Sequence, residues 1–428
     1  MSSALDWLDI IDRETHSDLS SPLSSLAHSS ALKVFPSRRA SDAAPSEAGL
    51  NLPHISLIRY AGLDQEAQNG WSTGERYLLN HFLQSVARSM SMAEDKYNPF
   101  IRLIVPLAFE STGVRNALVA LSATHLSKIY PDFEKDHLLH RNLALEDLKW
   151  RLESPESVIS NLTTTLLLCL SEVCECHSKR WLLYLYGARA LLPQVVRGAP
   201  GALEDFLIDL YNYICCVSSV TSPDVPHVWG KRFGLYRSNA THALFGCEPG
   251  LYMCLARINR FLHQRSRLKT RESLDALQCK VLAMEAKLQN WESLRDIESE
   301  EKAAACTLRW AMILRLREVK WPSLETASSQ IQEPVSNINL ALSLIRPGSQ
   351  AESHLLFPMF MAGVGSISKA SRLFIEYRIH VAEKTNGFGS VNAVHRLLDI
   401  LWRSENNGGE AGAWQDIVAG EMPGLVLF

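Results

Sequence analysis

Residue types able to do chemistry are thinly spread along this sequence. The tightest local group is Cys174-Glu175-Cys176-His177, two thiols, a carboxylate and an imidazole in succession. A structural zinc site needs four thiolates or imidazoles converging tetrahedrally. No second pair lies at a suitable spacing, so these read as helix-end cysteines near a turn. His137 and His140, at i and i+3, could share a helix face. With no carboxylate at the spacing of known helical metal motifs, they read as exposed polar positions. The basic run Arg257, Arg260, Arg265, Arg267, Lys269 and Arg271 could contact phosphate or act as a nuclear import signal. Solvated helix-end cations explain it as well and are the preferred reading.

Enzyme signatures are missing. The chain has no Gly-x-Ser-x-Gly elbow, no phosphate-binding glycine loop and no strand followed by a dinucleotide-binding glycine pattern. Gly363-Val364-Gly365 sits in a helical context and reads as close helix packing. No catalytic, cofactor-binding or metal-binding residue is therefore assigned, no cofactor is expected, and the chain reads as a non-enzyme. A helical core enclosing a small-molecule site, as sensor or enzyme, is the alternative of a different class.

Nine cysteines, at 169, 174, 176, 215, 216, 247, 254, 279 and 306, are odd in number and irregular in spacing. They suggest reduced thiols in an intracellular protein rather than a disulfide framework. The formal net charge of −3 over 428 residues argues against a general electrostatic nucleic-acid binder. The longest apolar stretch, Leu166 to Leu170, falls far short of the ~18–20 residues that span a bilayer. Acid beside the N-terminus, at Asp6 and Asp9, argues against a signal peptide. No membrane contact is expected.

The elements that would position these groups are helices. Residues 1–74 are rich in Ser, Ala and Pro and read as a disordered arm. Within it, Leu5-Asp-Trp-Leu-Asp-Ile-Ile-Asp12 alternates bulky apolar residues with acids, as a short coactivator-docking segment or a frayed amphipathic turn would. From Glu75 the pattern is helical: Leu79, Phe82, Val86 and Met90 share a face. Asn98-Pro99 opens a helix through Phe109. Ser111 or Thr112 caps Val114 to Ile129, which Pro131 ends.

Leu138, Leu145, Leu148 and Leu152 line the next helix. Ser154-Pro155 precedes the apolar run Val158 to Val173, and a helix from about Lys179 carries Trp181, Leu185 and Leu192 to near Gly198. Leu203 to Val220 is followed by a loop to about Gly250. Later helices break near 295–300, Pro322, Pro347-Gly348 and Asn406–Gly409. Leu274, Leu277, Val281, Met284, Leu288 and Trp291 form a heptad-like seam, too short for a firm coiled coil and read as buried within the domain. The fold class is all-α: a large multi-helix domain at 75–428 behind the N-terminal arm.

Several of these segments, in order, resemble one known family. They are Glu75-Arg-Tyr-Leu-Leu-Asn-His-Phe82, Asn98-Pro-Phe-Ile-Arg-Leu-Ile-Val-Pro-Leu-Ala108 and Ala117-Leu-Val-Ala-Leu-Ser-Ala-Thr-His-Leu126. Then come Ala144-Leu145 with Leu148, Leu166-Leu-Leu-Cys-Leu-Ser-Glu172 and Trp181-Leu-Leu-Tyr-Leu-Tyr-Gly-Ala-Arg189. Phe357-Pro-Met-Phe-Met-Ala-Gly363 and Leu398-Asp-Ile-Leu-Trp402 close the series. Together they resemble the fungal-specific transcription factor domain, the helical regulatory region that follows a zinc binuclear cluster. Tyr184 departs from the pattern, standing where a histidine is expected.

The resemblance implies a nuclear transcription regulator, plausibly a homodimer or heterodimer, controlling a metabolic gene set. The family's DNA-binding head uses six closely spaced cysteines, whereas the first cysteine here is Cys169, inside an apolar helix. The expectation is action through other transcription regulators, with DNA reached only indirectly. A cluster encoded upstream of Met1 would instead make this a DNA-binding factor.

Overall fold

The computed structural model describes residues 70–428 except 153–157, 196–200, 230–248, 292–298 and 407–412. The Leu5–Asp12 segment, the Ser154-Pro155 cap and Cys247 lie outside the described residues. Every regular element among the described residues is helical. In chain order these are α1 (Thr73–His81), α2 (Val105–Glu110), α3 (Thr112–Ser127), α4 (Glu134–Arg151), α5 (Val158–Glu175), α6 (Arg180–Val195) and α7 (Ala202–Ser218). There follow α8 (Pro249–Arg265), α9 (Arg271–Gln289), α10 (Glu300–Lys320), α11 (Ser329–Ser343), α12 (Leu356–Gly365), α13 (Lys369–Asn386), α14 (Gly389–Asn406) and α15 (Trp414–Glu421).

Local chemistry accounts for the starts of these helices. Ser72 and Glu75 form a reciprocal capping box on α1, with Ser72 N donating to Glu75 Oε2 at 2.7 Å and Glu75 N to Ser72 Oγ at 3.2 Å. Asn98 accepts from Phe100 N at 3.0 Å and donates to Ala87 O at 2.8 Å, so the cap also ties two segments together. The helix it opens is not uniform: Phe100–Ile104 is a π turn before α2. Pro106 lacks the N–H that Arg102 O would accept, and a wider turn accommodates its ring. Thr270, Ser299 and Ser368 cap α9, α10 and α13 through their hydroxyls.

Two helices act as hubs. In the N-terminal half α5 packs on α3, α4 and α6; in the C-terminal half α10 packs on α8, α9, α11 and α12. Helix α14 spans the halves by packing on both α5 and α12, while α7 joins α5 to α8. The buried apolar side chains form one continuous cluster from Trp71 to Phe428, each large one contributing roughly 1.5–3 kcal/mol. Trp181 is fully enclosed, and Trp402 donates its Nε1 proton to Gly363 O at 3.0 Å. A Cβ at Gly363 would lie 2.6 Å from Leu398 Cδ1, and one at Gly365 2.6 Å from Val335 Cγ2. Both glycines thus permit the close helix approach expected of them.

The structure revises some of the helix faces. Leu138 is exposed at the start of α4, whose buried face is His137, Arg141, Ala144, Leu145 and Leu148. Polar side chains fill the place that periodicity gave to leucine. Leu277, Val281, Met284 and Leu288 are buried within the chain, on α9 against α10 and α8, whereas Leu274 at the start of the seam is exposed and Trp291 at its end is half-buried. By length and composition α5 could cross a membrane, with a mean hydropathy of 1.3, contrary to the shorter apolar stretch counted above. It is instead packed inside the protein, with 78% of it buried.

A histidine relay ties the two ends of the fold together. His125 Nε2 meets Asn386 O at 2.8 Å, and a carbonyl only accepts, so Nε2 carries the proton. His125 Nδ1 must then accept from His81 Nε2, 2.9 Å away. Gly387 follows Asn386 at φ 71°, where a Cβ would lie 2.6 Å from His125 Nε2. We expect Gly387→Ala to cost about 2 kcal/mol or more, through left-handed strain and the clash, read as a lowered denaturation midpoint.

Burial and the neighbouring His125 push the His81 pKa down to about 4. The unfolded chain, with histidine near 6.5, takes up protons first, so stability present above pH 6.5 is lost as pH falls toward 4. Urea midpoints measured across that window should fall, and His81→Gln should flatten the slope.

Candidate functional site

The densest group of titratable side chains is buried where α3, α4, α5 and α6 meet. Each member sits there because its helix turns a polar residue onto an otherwise apolar face. Glu172, 2% exposed, contacts Arg141 Nε of α4 at 3.2 Å and Arg180 Nε of α6 at 3.2 Å. Tyr184, fully buried, interacts electrostatically with Arg141 and so completes a path from α4 to α6. Burial works against the Arg141 charge, but Tyr184 and Glu172 more than offset it and raise its pKa. Burial also lifts the Glu172 carboxyl above its ordinary range, with Arg141 pulling the other way.

One turn further along α5, Glu175 meets His137 Nε2 at 2.6 Å. His137 Nδ1 lies 2.6 Å from Thr124 Oγ1. That hydroxyl is 2.9 Å from Ala120 O, which can only accept, and 2.7 Å from Ser171 Oγ. Thr124 therefore donates to Ala120 and accepts from His137, leaving one proton held between Nε2 and Glu175. Burial alone would raise the Glu175 pKa, but the hydrogen bond and charge of His137 bring it down to about 2.

This corrects the sequence reading of His137 as an exposed polar position: it is 2% exposed and fully paired. Its carboxylate lies on another helix, 38 residues along the chain by numbering, so no local spacing could reveal it. His140 is half-buried and bonds Asn116 Oδ1 at 2.8 Å.

Metal chemistry fits this group poorly. Glu134, His137 and Glu175 bring ligand atoms within 4.8 Å of one another. Metal bonds of about 2.0 Å in tetrahedral geometry hold two ligand atoms roughly 3.3 Å apart. The 2.6 Å between His137 and Glu175 suits a proton instead. The Cys174–His177 segment forms the end of α5, with Cys176 at φ 63° closing the helix. Burial pushes the thiols of Cys174 and Cys176 up to about 12 and about 11, away from the thiolate that binds zinc. The described cysteines are free and mostly buried.

A second polar region, unmarked in the sequence, is an open cleft of about 480 Å³ where residues 84–95 face residues 348–353 and the end of α13. Its charges are largely matched within the chain. Arg88 pairs with Asp95 at 2.5 Å, Glu94 with Lys96 at 3.0 Å, and Glu352 with the buried Arg378 at 2.5 Å. Arg378 also donates to Leu342 O and Ile345 O at 2.9 and 2.8 Å, capping the end of α11. Asn386 Oδ1 and Ser349 Oγ line the same region without hydrogen-bond partners.

Removing the Glu172 carboxylate takes the ion-pair partner from the buried Arg141. Glu172→Ala should destabilise the protein by about 3 kcal/mol or more, measured by urea unfolding. Glu172→Leu combined with Arg141→Leu should lose less than the single substitutions together predict, because both sides of the buried charge go at once.

Comparison with known proteins accords with this packing. The fungal specific transcription factor domain matches residues 77–428. The transcriptional activator protein UGA3 of Saccharomyces cerevisiae is 28% identical over 119 residues, which cover 25% of this chain and 22% of that protein. The matched stretch thus spans about a fifth of the curated relative's length. No solved structure matches the chain significantly. The helical order read from Glu75 onward and the family match over 77–428 agree: the chain belongs to the fungal specific transcription factor domain family.

Proposed function

We propose that this chain is a transcription regulator that works in the nucleus through protein contacts made by its helical domain. The observation that carries the reading is the family match over residues 77–428, nearly all of the described structure. The activator similarity in one stretch points the same way. A regulatory domain of transcription factors also favours a non-enzymatic role. Within residues 1–428 no six-cysteine cluster precedes this domain, so the reading gives these residues partner contacts rather than base recognition.

The outer face of α4 supports protein contact. Leu139, Leu143 and Trp150 are exposed at spacings of 4 and 7, which align them along one helix stripe. Exposed apolar residues grouped on one face mark interaction surfaces more often than scattered ones do. The 480 Å³ cleft favours a second reading, a small-molecule sensor, because unpartnered Asn386 and Ser349 atoms converge there.

The test fuses the full chain to an unrelated DNA-binding domain and reads a reporter carrying the matching operator, while a fluorescent fusion reports location. Reporter change and nuclear signal are expected. Leu139→Ser with Trp150→Ser should reduce the reporter response severalfold while leaving the melting temperature nearly unchanged, since surface substitutions alter stability by about 0.5 kcal/mol or less. An inert fusion, or exclusion from the nucleus, would overturn the reading. Tight, sequence-specific binding of purified chain alone to a defined duplex would overturn its partner-dependent part.

A further inference from the structure

The basic run Arg257 to Arg271 is not one uniform solvated face. Arg257, Lys269 and Arg271 do extend into solvent. Arg265 donates to Val319 O near the end of α10, a structural use. Arg260, half-buried, and Arg267, itself exposed, also have a further role. They line a cavity of about 260 Å³ between α8 and the segment 219–228 that follows α7.

Three observations mark this cavity as built for a ligand. First, its charge is unbalanced. No carboxylate lines it among the described residues, and neither arginine has an ion-pair partner there. Arg260 Nη2 lies 3.2 Å from His227 Nδ1 and must donate to it. The Arg260 charge, with burial and Arg189, lowers the His227 pKa; burial, Arg315 and Arg267 lower that of His263, against the pull of the Ser219 backbone and then Asp224. The local field is positive.

Second, polar groups are left unsatisfied. Ser222 is 2% exposed, lines the cavity, and its hydroxyl has no partner; His263 Nε2 is likewise unpaired. Leaving buried donors unmade costs free energy that an acceptor would recover. Third, the wall is held in place. Trp229 N donates to Asn212 Oδ1 at 2.6 Å, Tyr186 OH to Asp224 O at 2.8 Å, and Arg189 lies over the Trp229 ring at 4.3 Å. Such a wall needs little reordering when a ligand enters.

We propose that this cavity binds a small organic oxyanion, a phosphate or carboxylate on a short apolar body. Arg260 and Arg267 receive the charge, the Ser222 hydroxyl donates to an anionic oxygen, and Val225, Val228 and Ala256 accept the body. The volume admits a metabolite-sized molecule and excludes a folded peptide segment. The 480 Å³ cleft is a weaker anion site, because its arginine is already neutralised by Asp95. This assignment goes beyond the regulatory reading and stands independently of it, since it concerns binding by the purified chain.

The test titrates the full chain with inorganic phosphate, phenyl phosphate, acetate and benzoate at constant ionic strength, by calorimetry. Saturable one-site binding is expected, tighter for the aryl than for the parent anions, with the phosphate and carboxylate series separating the two head groups. Arg260→Gln should weaken binding about tenfold or more and Ser222→Ala a few-fold. Arg396→Gln, a remote exposed arginine paired with Glu421, should change nothing. Melting temperatures confirm that each variant is folded; if Arg260→Gln fails to fold, Arg267→Gln decides in its place. No saturable binding of any probe up to about 10 mM, a standard free energy weaker than about −3 kcal/mol, would overturn the assignment. So would arginine variants that bind as tightly as Arg396→Gln.

Discussion

A helix buried on nearly every side cannot leave a charge unpaired, and α5 carries two. Glu172 and Glu175 stand at the C-terminal end of a helix whose other residues are all uncharged. An isolated carboxylate in such a place would be too costly to ionise. Its neighbours must supply the compensation, and they do so from fixed directions: Arg141 and His137 from α4, Arg180 from α6, Thr124 from α3. The pairing is thus a geometric instruction as well as an energetic one. It ties three helices to α5 from fixed directions.

The same logic recurs in the C-terminal half. Arg378 is buried on α13 and meets Glu352 while closing the carbonyl end of α11. Helix α14 and the segment 422–428 then seal the two halves together. Phe428 packs edge-on to Tyr213 at 5.3 Å and beside Phe388 at 5.6 Å, and Thr221 Oγ1 donates to Leu425 O at 2.6 Å. The His81–His125–Asn386 relay adds a tie between α1 and the end of α13. With its buried charges matched, the interior is a scaffold. Exposed apolar side chains such as Leu139, Leu143 and Trp150 are left to the periphery.

That division places several chemistry-bearing residues of the sequence within the packing. Cys174 and Cys176 have thiols held protonated by burial, and His137 is committed to Glu175 and Thr124. The basic run, by contrast, splits by position. The α8 helix turns Arg260 toward the 221–229 turn and Arg265 toward α10, so residues close in sequence acquire different tasks.

Much of the fold was legible in the sequence because helix signals are local. The 3–4 spacing of Leu79, Phe82, Val86 and Met90, the cap at Asn98, and the ordered family segments depend on neighbours within a few positions. Composition and periodicity therefore sufficed for an all-α domain and for Gly363 and Gly365 as close-packing points, while the ordered segments carried the family resemblance. They could not show that His137 faces inward, that Leu138 faces outward, or that Gly387 lies against His125. Each of those depends on a residue tens to hundreds of positions away. Nor could they show that Arg260 and Arg267 share a cavity with Ser222, since those residues meet only when α7 and α8 pack. Local hydrogen bonding and apolar period determine which segments become helices, whereas the partner of a buried charge is chosen by the packing that brings distant helices together.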